Sequence, residues 1–167
     1  GTSEGEEEAV GTKEAVALVK TIREDWAIPI FINADHHYSF TTVKHAIDAG
    51  YDAVIFDGAK LPLEQNIVQS KQCVEYARKI TQETGRDILV EVELGYIGQS
   101  SKMLDAIPEG VQTVTTAQEA KAFIAATGAD MLAPAVGNFH GLLKHADKPR
   151  LNIECIRDIS KTINVPL

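Results

Sequence analysis

Polar side chains and glycines follow four apolar segments of the sequence, at the point where each segment ends. In chain order the four sets are Asp35-His36-His37, Asp57-Gly58, Glu91 with Glu93 and Gly95, and Gly137-Asn138-Phe139-His140-Gly141. If the segments are parallel strands, their carboxyl ends meet at one rim, where α/β proteins place their sites. We therefore expect the chemistry of this protein at that rim.

Two of these residues, His36 and His140, form a candidate ligand pair for a divalent metal. The alternative is that each is a hydrogen-bonded histidine at the rim, and the spacing alone does not separate the two interpretations. The neighbouring His37 points to the other side of the strand, which favours packing or solvent contact over metal binding. We expect His45, within a helix, and His145, within a loop, to lie at the surface.

The carboxylates of the rim have catalytic and structural interpretations. Asp35 is a candidate acid or base, or else it caps a helix or orients a histidine. Glu91 and Glu93 share one face of a strand, and two carboxylates in an apolar strand are costly to bury without a cation or hydrogen-bond donors. The alternative for this pair is a salt bridge to a lysine inside a barrel.

The segment after the fourth strand has the composition of an anion-binding loop. Gly137 and Gly141 would let backbone N–H groups approach an anion closely, and Lys144 adds positive charge. The alternative is that the two glycines serve only the turn.

The elements that must position these residues alternate between helix and strand. Apolar runs predict strands over 28–34, 52–57, 88–94 and 129–136, with a fifth strand beginning in the terminal NVPL. Apolar periodicity and caps predict helices over 13–26, 39–50, 62–83, 115–128 and 152–163, the fourth with a capping box of Thr116 and Glu119. Continuous apolar strands separated by helices are typical of a parallel sheet that is covered on both faces.

Composition limits the classes of function. The 167 residues carry a net charge of −8 and are 44% hydrophobic, as in a folded globular protein. Four of the acids lie in the opening GTSEGEEEAV, which resembles a low-complexity segment. The sequence lacks the stripe of basic residues that is typical of nucleic-acid-binding proteins. No apolar run in it reaches the roughly 18–20 residues that cross a bilayer. Two cysteines and no signal peptide indicate a cytoplasmic protein.

Four motifs taken together identify a resemblance to a known family. NADHH, VIFDGAKLPLEQN, VEVELGYIG and AVGNFHG, in this order and spacing, resemble the class II (metal-dependent) fructose-bisphosphate and tagatose-bisphosphate aldolases. The resemblance implies an α/β fold, a (β/α)₈ TIM barrel, of which residues 1–167 would form part of a single domain from about barrel strand two to strand seven. A third metal-binding histidine, in a His-Gly-Gly-Ser-Gly motif, is expected beyond these residues.

The resemblance also implies roles for individual residues. His36 and His140 match two ligands of Zn²⁺ or another divalent cation, Glu93 matches an alternative or neighbouring ligand position, and Asp57 matches a position at a second cation or behind the ligands. Asp35 matches the aspartate that protonates or polarises the aldehyde carbonyl. The residues matched to phosphate binding are Gly141, Lys144 and Ser3.

The function implied is a metal-dependent aldolase that cleaves or forms a ketose bisphosphate, acting on a small sugar phosphate and assembled as a homo-oligomer. The loop over 95–115 departs from the family, because Gln99 and neighbouring serines stand where acids are expected. Asp105 or Glu109 could supply the missing acid. The altered loop favours a second hypothesis, a non-catalytic homologue that binds a metal or sugar phosphate. A metal-dependent barrel hydrolase is a third, which does not account for the Gly-Asn-x-His-Gly loop.

Overall fold

Parallel strands form the centre of the computed structural model, which describes residues 1–98, 103–104, 112, 114–140, 142–144 and 150–167. In chain order the strands are β1 (Thr2–Ser3), β2 (Asn33–His37), β3 (Ala53–Phe56), β4 (Leu89–Leu94), β5 (Met103–Leu104), β6 (Met131–Pro134) and β7 (Leu142–Leu143). One sheet has the order β1-β2-β3-β4-β6, and β5 pairs with β7 in a second. All these pairs are parallel, which confirms the α/β fold of an incomplete (β/α)₈ barrel.

Helices connect the strands of the main sheet, and a last helix follows β7. They are α1 (Glu4–Val10), α2 (Thr12–Trp26), α3 (Phe40–Ala49), α4 (Leu63–Thr84), α5 (Ala117–Thr127) and α6 (Ile153–Thr162). The predicted caps are present: the Ser39 hydroxyl accepts the Thr42 N–H, and Thr116 and Glu119 form a capping box. Among the helices of the described residues, none combines the length and the apolar character that a membrane crossing requires.

Side-chain alternation along β4 separates the core from the site. Val90, Val92 and Leu94 belong to the apolar core between sheet and helices. Because successive side chains of a strand point to opposite faces, Glu91 and Glu93 share the other face. The two glutamates therefore lie on the same face of β4, as the sequence predicts.

The predicted strand over 28–34 was wrong in its bounds, because β2 covers Asn33–His37. The carbonyl of Ile32 accepts hydrogen bonds from the N–H groups of Asp52 and Ala53, where pairing with β3 begins. Within the described part of the chain, the apolar residues before Asn33 pair with no strand, and Phe31 is 73% exposed. The strand instead continues through the polar residues at its carboxyl end, since these pair with β1 and β3.

Both ends of the chain also differ from expectation. The acidic opening, interpreted as low complexity, forms β1 and α1, and Glu7 of α1 is buried. The terminal NVPL is not a strand, although the Pro166 carbonyl accepts the Leu132 N–H at 3.0 Å. Proline has no N–H with which to continue a ladder at that point.

Candidate metal centre

His36 lies at an irregularity near the end of β2. The pairing of β2 with β3 shifts in register between Ala34 and His37, and His36 itself has a φ of +52°. Residues other than glycine seldom adopt this left-handed conformation, which costs on the order of 1–3 kcal/mol and persists where surrounding contacts fix it. The backbone at His36 is therefore strained at a predicted site residue.

The His36 imidazole contacts two buried carboxylates. Its Nδ1 lies 2.9 Å from Oε1 of Glu93, on β4, and 3.3 Å from Oδ2 of Asp57, directly after β3. The side chains of Glu93 and Asp57 are 2% and 0% exposed. Since both carboxylates face Nδ1, that nitrogen carries a proton, and Nε2 is the nitrogen that remains to bind a cation. The predicted alternative of a lysine partner is not found among the described residues, where the ion-pair partner of Glu93 is His36.

The electrostatics of the cluster favour a positive charge. Hydrogen bonds that His36 donates to the carboxylates of Asp57 and Glu93 raise the pKa of His36 to about 10. Burial raises the pKa of Glu93 to about 7, against the opposing effect of His36. Burial also raises the pKa of Glu91, the next glutamate on the same face. Because burial removes water from the carboxylates of Glu91 and Glu93, each is stabilised by a proton or by a cation nearby.

The donor set fits a divalent cation. His36, Asp57 and Glu93 each offer a ligand atom, and these atoms lie within 4.8 Å of one another. In addition, Oε2 of Glu93 is buried without a hydrogen-bond partner in the described part of the chain. A buried carboxylate oxygen without a partner is costly, and a cation would remove that cost.

His140 lies beside this cluster, as the sequence predicts. Its ring centroid is 4.9 Å from that of His36, and the two rings are nearly perpendicular at 87°. His140 is exposed to solvent, and its backbone N–H donates to the Ile97 carbonyl at 2.6 Å. The structure thus brings together the two histidines that the sequence interpretation paired.

Asp35 occupies the rim beside His36. Its Oδ1 lies 3.9 Å from Nε2 of His36, beyond hydrogen-bond length, and its side chain is 48% exposed. The carboxylate therefore lies on the side of the imidazole opposite Glu93, where a solvent-borne substrate can reach it.

The residues matched to phosphate are only partly described. Ser3 pairs with Asp35 in the sheet, and its hydroxyl donates to Oε2 of Glu6 at 2.9 Å at the start of α1. Lys144 is exposed after β7. Gly141 lies outside the described residues, as do His145 and the loop acids Asp105 and Glu109. Their predicted roles stay predictions.

Two buried polar residues near the site were missed from the sequence. Glu7 contacts His37 with 3.1 Å between Oε1 and Nε2, and the Asn66 amide donates to the Glu93 carbonyl at 2.9 Å. His37 is 1% exposed, so packing rather than solvent contact is its role. For Glu7, the available signal was the spacing of three between Glu4 and Glu7, which places both on one face of a helix.

A cavity of about 840 Å³ lies between α4 and α5. Its lining includes Leu94, Gly95, Phe123 and Asn66, and none of the predicted site residues that the structure describes belongs to it. Asn66, which lines the cavity, donates to the backbone carbonyl of Glu93 and so links the cavity to the cluster. The titratable groups at the rim, rather than this apolar cavity, mark the candidate site.

Comparison with known proteins agrees with the geometry. A family model described as fructose-bisphosphate aldolase class-II matches residues 1–167. A fructose-bisphosphate aldolase of Geobacillus stearothermophilus is 36% identical over 170 residues, which cover 100% of this chain and 55% of that protein. The chain thus spans about half the length of this curated relative.

Solved structures give the same fold. The YdjI aldolase from Escherichia coli K12 matches with a TM-score of 0.76 and 25% identity over 99% of this chain and 53% of that one. A fructose-bisphosphate aldolase from Campylobacter jejuni, at 17% identity, matches with a TM-score of 0.57 over 90% of this chain and 44% of that one, which supports the fold alone. Together with the site geometry and the family model over its whole length, these findings place the chain in the class II fructose-bisphosphate aldolase family.

Proposed function

We propose that the chain carries the catalytic rim of a metal-dependent aldolase that cleaves or forms a ketose bisphosphate, with dihydroxyacetone phosphate and an aldehyde as the other partners of the reaction. The observation that carries the proposal is the contact of His36 with the buried carboxylates of Asp57 and Glu93, beside the His140 ring. Membership of the aldolase family supports the reaction class. On this proposal residues 1–167 belong to one (β/α)₈ barrel domain.

A Zn²⁺ ion or another divalent cation would be held by His36 and His140, with the negative charge of Glu93 and Asp57 close to it. When bound there, such a cation supplies Lewis-acid stabilisation of the charge that develops as the carbon–carbon bond breaks. The two carboxylates hold the proton on Nδ1 of His36 and so present Nε2 to the rim.

Asp35 is the proposed acid and base of the reaction. It lies on the Nε2 side of His36 and is open to solvent, so a substrate hydroxyl at the rim is within its reach. In the cleavage direction Asp35 accepts the proton of that hydroxyl, and in the condensation direction it returns the proton to the aldehyde oxygen.

Lys144, Gly141 and Ser3 are the proposed phosphate-binding residues. An exposed lysine is a suitable point charge for phosphate. The Ser3 hydroxyl, which now donates to Glu6, would have to exchange that bond for one to the phosphate. Asp105 or Glu109 is proposed to take the place of the acid that the loop over 95–115 lacks.

A non-catalytic homologue that binds a metal or sugar phosphate is the second candidate, favoured by Gln99 and the serines of that loop. The first candidate is better supported because Asp35, which metal binding alone does not need, is retained at the rim. A cytoplasmic location, the absence of nucleic-acid and membrane partners, and homo-oligomer formation stay predictions.

The test is cleavage of fructose 1,6-bisphosphate and tagatose 1,6-bisphosphate by the purified protein, followed as release of dihydroxyacetone phosphate. We expect release that a chelator abolishes and added Zn²⁺ restores, that His36→Ala removes, and that His45→Ala, at an exposed helical histidine, leaves unchanged. Binding of these sugars without cleavage would favour the non-catalytic candidate. Cleavage that survives complete removal of metal would contradict the metal-dependent mechanism.

A further inference from the structure

Consecutive histidines at the end of β2 face different environments. The His36 ring contacts the candidate metal centre, while the His37 ring is buried on the other side of the strand. The register shift and the positive φ at His36 lie between two regularly paired residues, Ala34 and His37. A strained residue keeps its conformation only if its neighbours are fixed, so the contacts of His37 bear on the direction of the His36 ring.

Glu7 is the polar partner that fixes His37. Its Oε1 lies 3.1 Å from Nε2 of His37, and the two side chains are 8% and 1% exposed. The other ring nitrogen of His37 has no hydrogen-bond partner among the described residues, so the contact with Glu7 is what orients the ring. Burial of this pair makes its hydrogen bond costly to lose.

Glu7 is in turn held in place by two threonines. Thr12 donates to its Oε2 at 3.0 Å, and Thr2 of β1 donates to its Oε1 at 3.3 Å. Both carboxylate oxygens of Glu7 therefore have hydrogen-bond partners, which fix the position of the Glu7 side chain against His37.

A second contact from the same helix holds the next residue. One turn before Glu7, Oε1 of Glu4 accepts the backbone N–H of Tyr38 at 3.0 Å. Helix α1 thus contacts both residues that follow His36, by a side chain at His37 and by the backbone at Tyr38. These contacts, together with the pairing of His37 with Phe56, fix the strand directly after the strained residue.

We propose that Glu7 is a positioning residue of the metal centre: its hydrogen bond to the buried His37 fixes the irregularity of β2 and thereby the direction of the His36 imidazole. The effect on metal binding rests on the proposed function, whereas the effect on the His36 ring does not. On this proposal the acidic opening of the chain contributes a buried glutamate, Glu7, to the support of the site, whereas the exposed Glu8 has no such role.

The variants separate positioning from bulk charge. Glu7→Ala removes the contact with His37. Glu7→Gln keeps an oxygen that can accept from His37 and an amide that can donate to the Thr12 hydroxyl, so it serves as the conservative rescue. Glu8→Ala removes the same charge from an exposed position of the same helix and is the matched control.

The first measurement is Co²⁺ affinity of the folded protein, read from the visible absorption of the bound ion. We expect Glu7→Ala to weaken Co²⁺ binding by about tenfold or more, within the range seen when a residue that orients a ligand is lost. Glu7→Gln should stay close to the unmodified protein, and Glu8→Ala should match it. A loss of thermal stability in Glu7→Ala with unchanged Co²⁺ affinity and spectrum would show a merely structural role and overturn the proposal.

The second measurement does not depend on metal. In chelator-treated protein, the His36 imidazole resonance and backbone amide should shift in Glu7→Ala and stay in place in Glu8→Ala. If His36→Ala leaves Co²⁺ binding unchanged, the proposed metal site is wrong. The positioning role of Glu7 is then tested by the His36 resonances alone. Unchanged His36 resonances in Glu7→Ala would then refute the positioning role.

Discussion

The Nδ1 atom of His36 lies 2.9 Å from Oε1 of Glu93, although the two residues belong to strands that are separated by β3. Both side chains therefore reach across the inner face of the sheet, toward Asp57 at the end of the intervening strand. This contact joins an imidazole whose pKa is raised to about 10 with a carboxyl group whose pKa burial raises to about 7. The carboxylate of Glu93 thus favours a proton on Nδ1 of His36 and leaves Nε2 to bind a cation.

Neutralising Glu93 should weaken metal binding. Glu93→Gln removes the charge while keeping the size of the side chain, and we expect about a 10- to 100-fold loss of Co²⁺ affinity. Glu75→Gln, at an exposed position of α4, is the control and should have no effect. The measurement is a Co²⁺ titration of each variant. Equal affinities for Glu93→Gln and the unmodified protein would remove Glu93 from the site.

Metal affinity should rise with pH. The pKa of His36 in the folded protein is raised from the ordinary 6.5 to about 10. Protonation of His36 therefore stabilises the metal-free fold fully below pH 6.5, and this stabilisation is lost as the pH rises through 10. A cation that binds His36 must displace this proton, and we expect Co²⁺ affinity to increase about tenfold per pH unit between roughly pH 7 and 9. His36→Ala should lose that slope. A flat profile in the unmodified protein would contradict proton displacement at His36.

Asp35→Asn should separate chemistry from metal binding. Loss of a positioned acid and base lowers kcat by about 10²–10⁴-fold, while KM and metal content stay close to their original values because Asp35 is outside the buried cluster. The measurements are steady-state kinetics of dihydroxyacetone phosphate release and metal analysis of the same preparation. A variant that loses its metal, or that keeps full kcat, would show that the role assigned to Asp35 is wrong.

Gly58 should tolerate no side chain, because it lies against the residue that supports Glu93. A Cβ at Gly58 would come within 2.2 Å of Oδ1 of Asn66 and 2.8 Å of the Phe56 ring. We expect Gly58→Ala to lower the free energy of unfolding by about 1–3 kcal/mol. Urea unfolding measures this change.

Gly5 provides the matched glycine control for that experiment. It lies within α1, and a Cβ there would meet nothing within 4 Å. Gly5→Ala should raise the free energy of unfolding by about 0.5–1 kcal/mol, since alanine loses less backbone entropy in a helix. Destabilisation by Gly5→Ala, or none by Gly58→Ala, would contradict the packing described around these residues.

Much of the fold was predictable from the sequence because β3, β4 and β6 lie within apolar runs that are separated by capped helices. Ser39, Thr116 and Glu119 act as the caps that their spacing predicts. The bounds of β2 were missed because hydrophobicity places the strand over 28–34, whereas pairing with β1 and β3 places it over Asn33–His37. Pairing partners are a tertiary property that a run of apolar residues does not encode.

The candidate site, like the fold, could be predicted from the sequence in part. Position at the carboxyl ends of strands was enough to gather His36, Glu93 and His140 at one rim. It was not enough to find Glu7, whose role depends on a contact with His37 thirty residues along the chain. The spacing of three between Glu4 and Glu7 places both on one face of a helix, but the contact with His37 follows only from the packing of the folded chain.

Metal content is the most direct test of the account. The purified protein, His36→Ala, His140→Ala and the control His45→Ala would be analysed together for zinc and other divalent metals by inductively coupled plasma mass spectrometry, with folding checked by circular dichroism. We expect the same metal content in the unmodified protein and His45→Ala, and loss of the metal in His36→Ala and His140→Ala. Unchanged metal content in both His36→Ala and His140→Ala would contradict it.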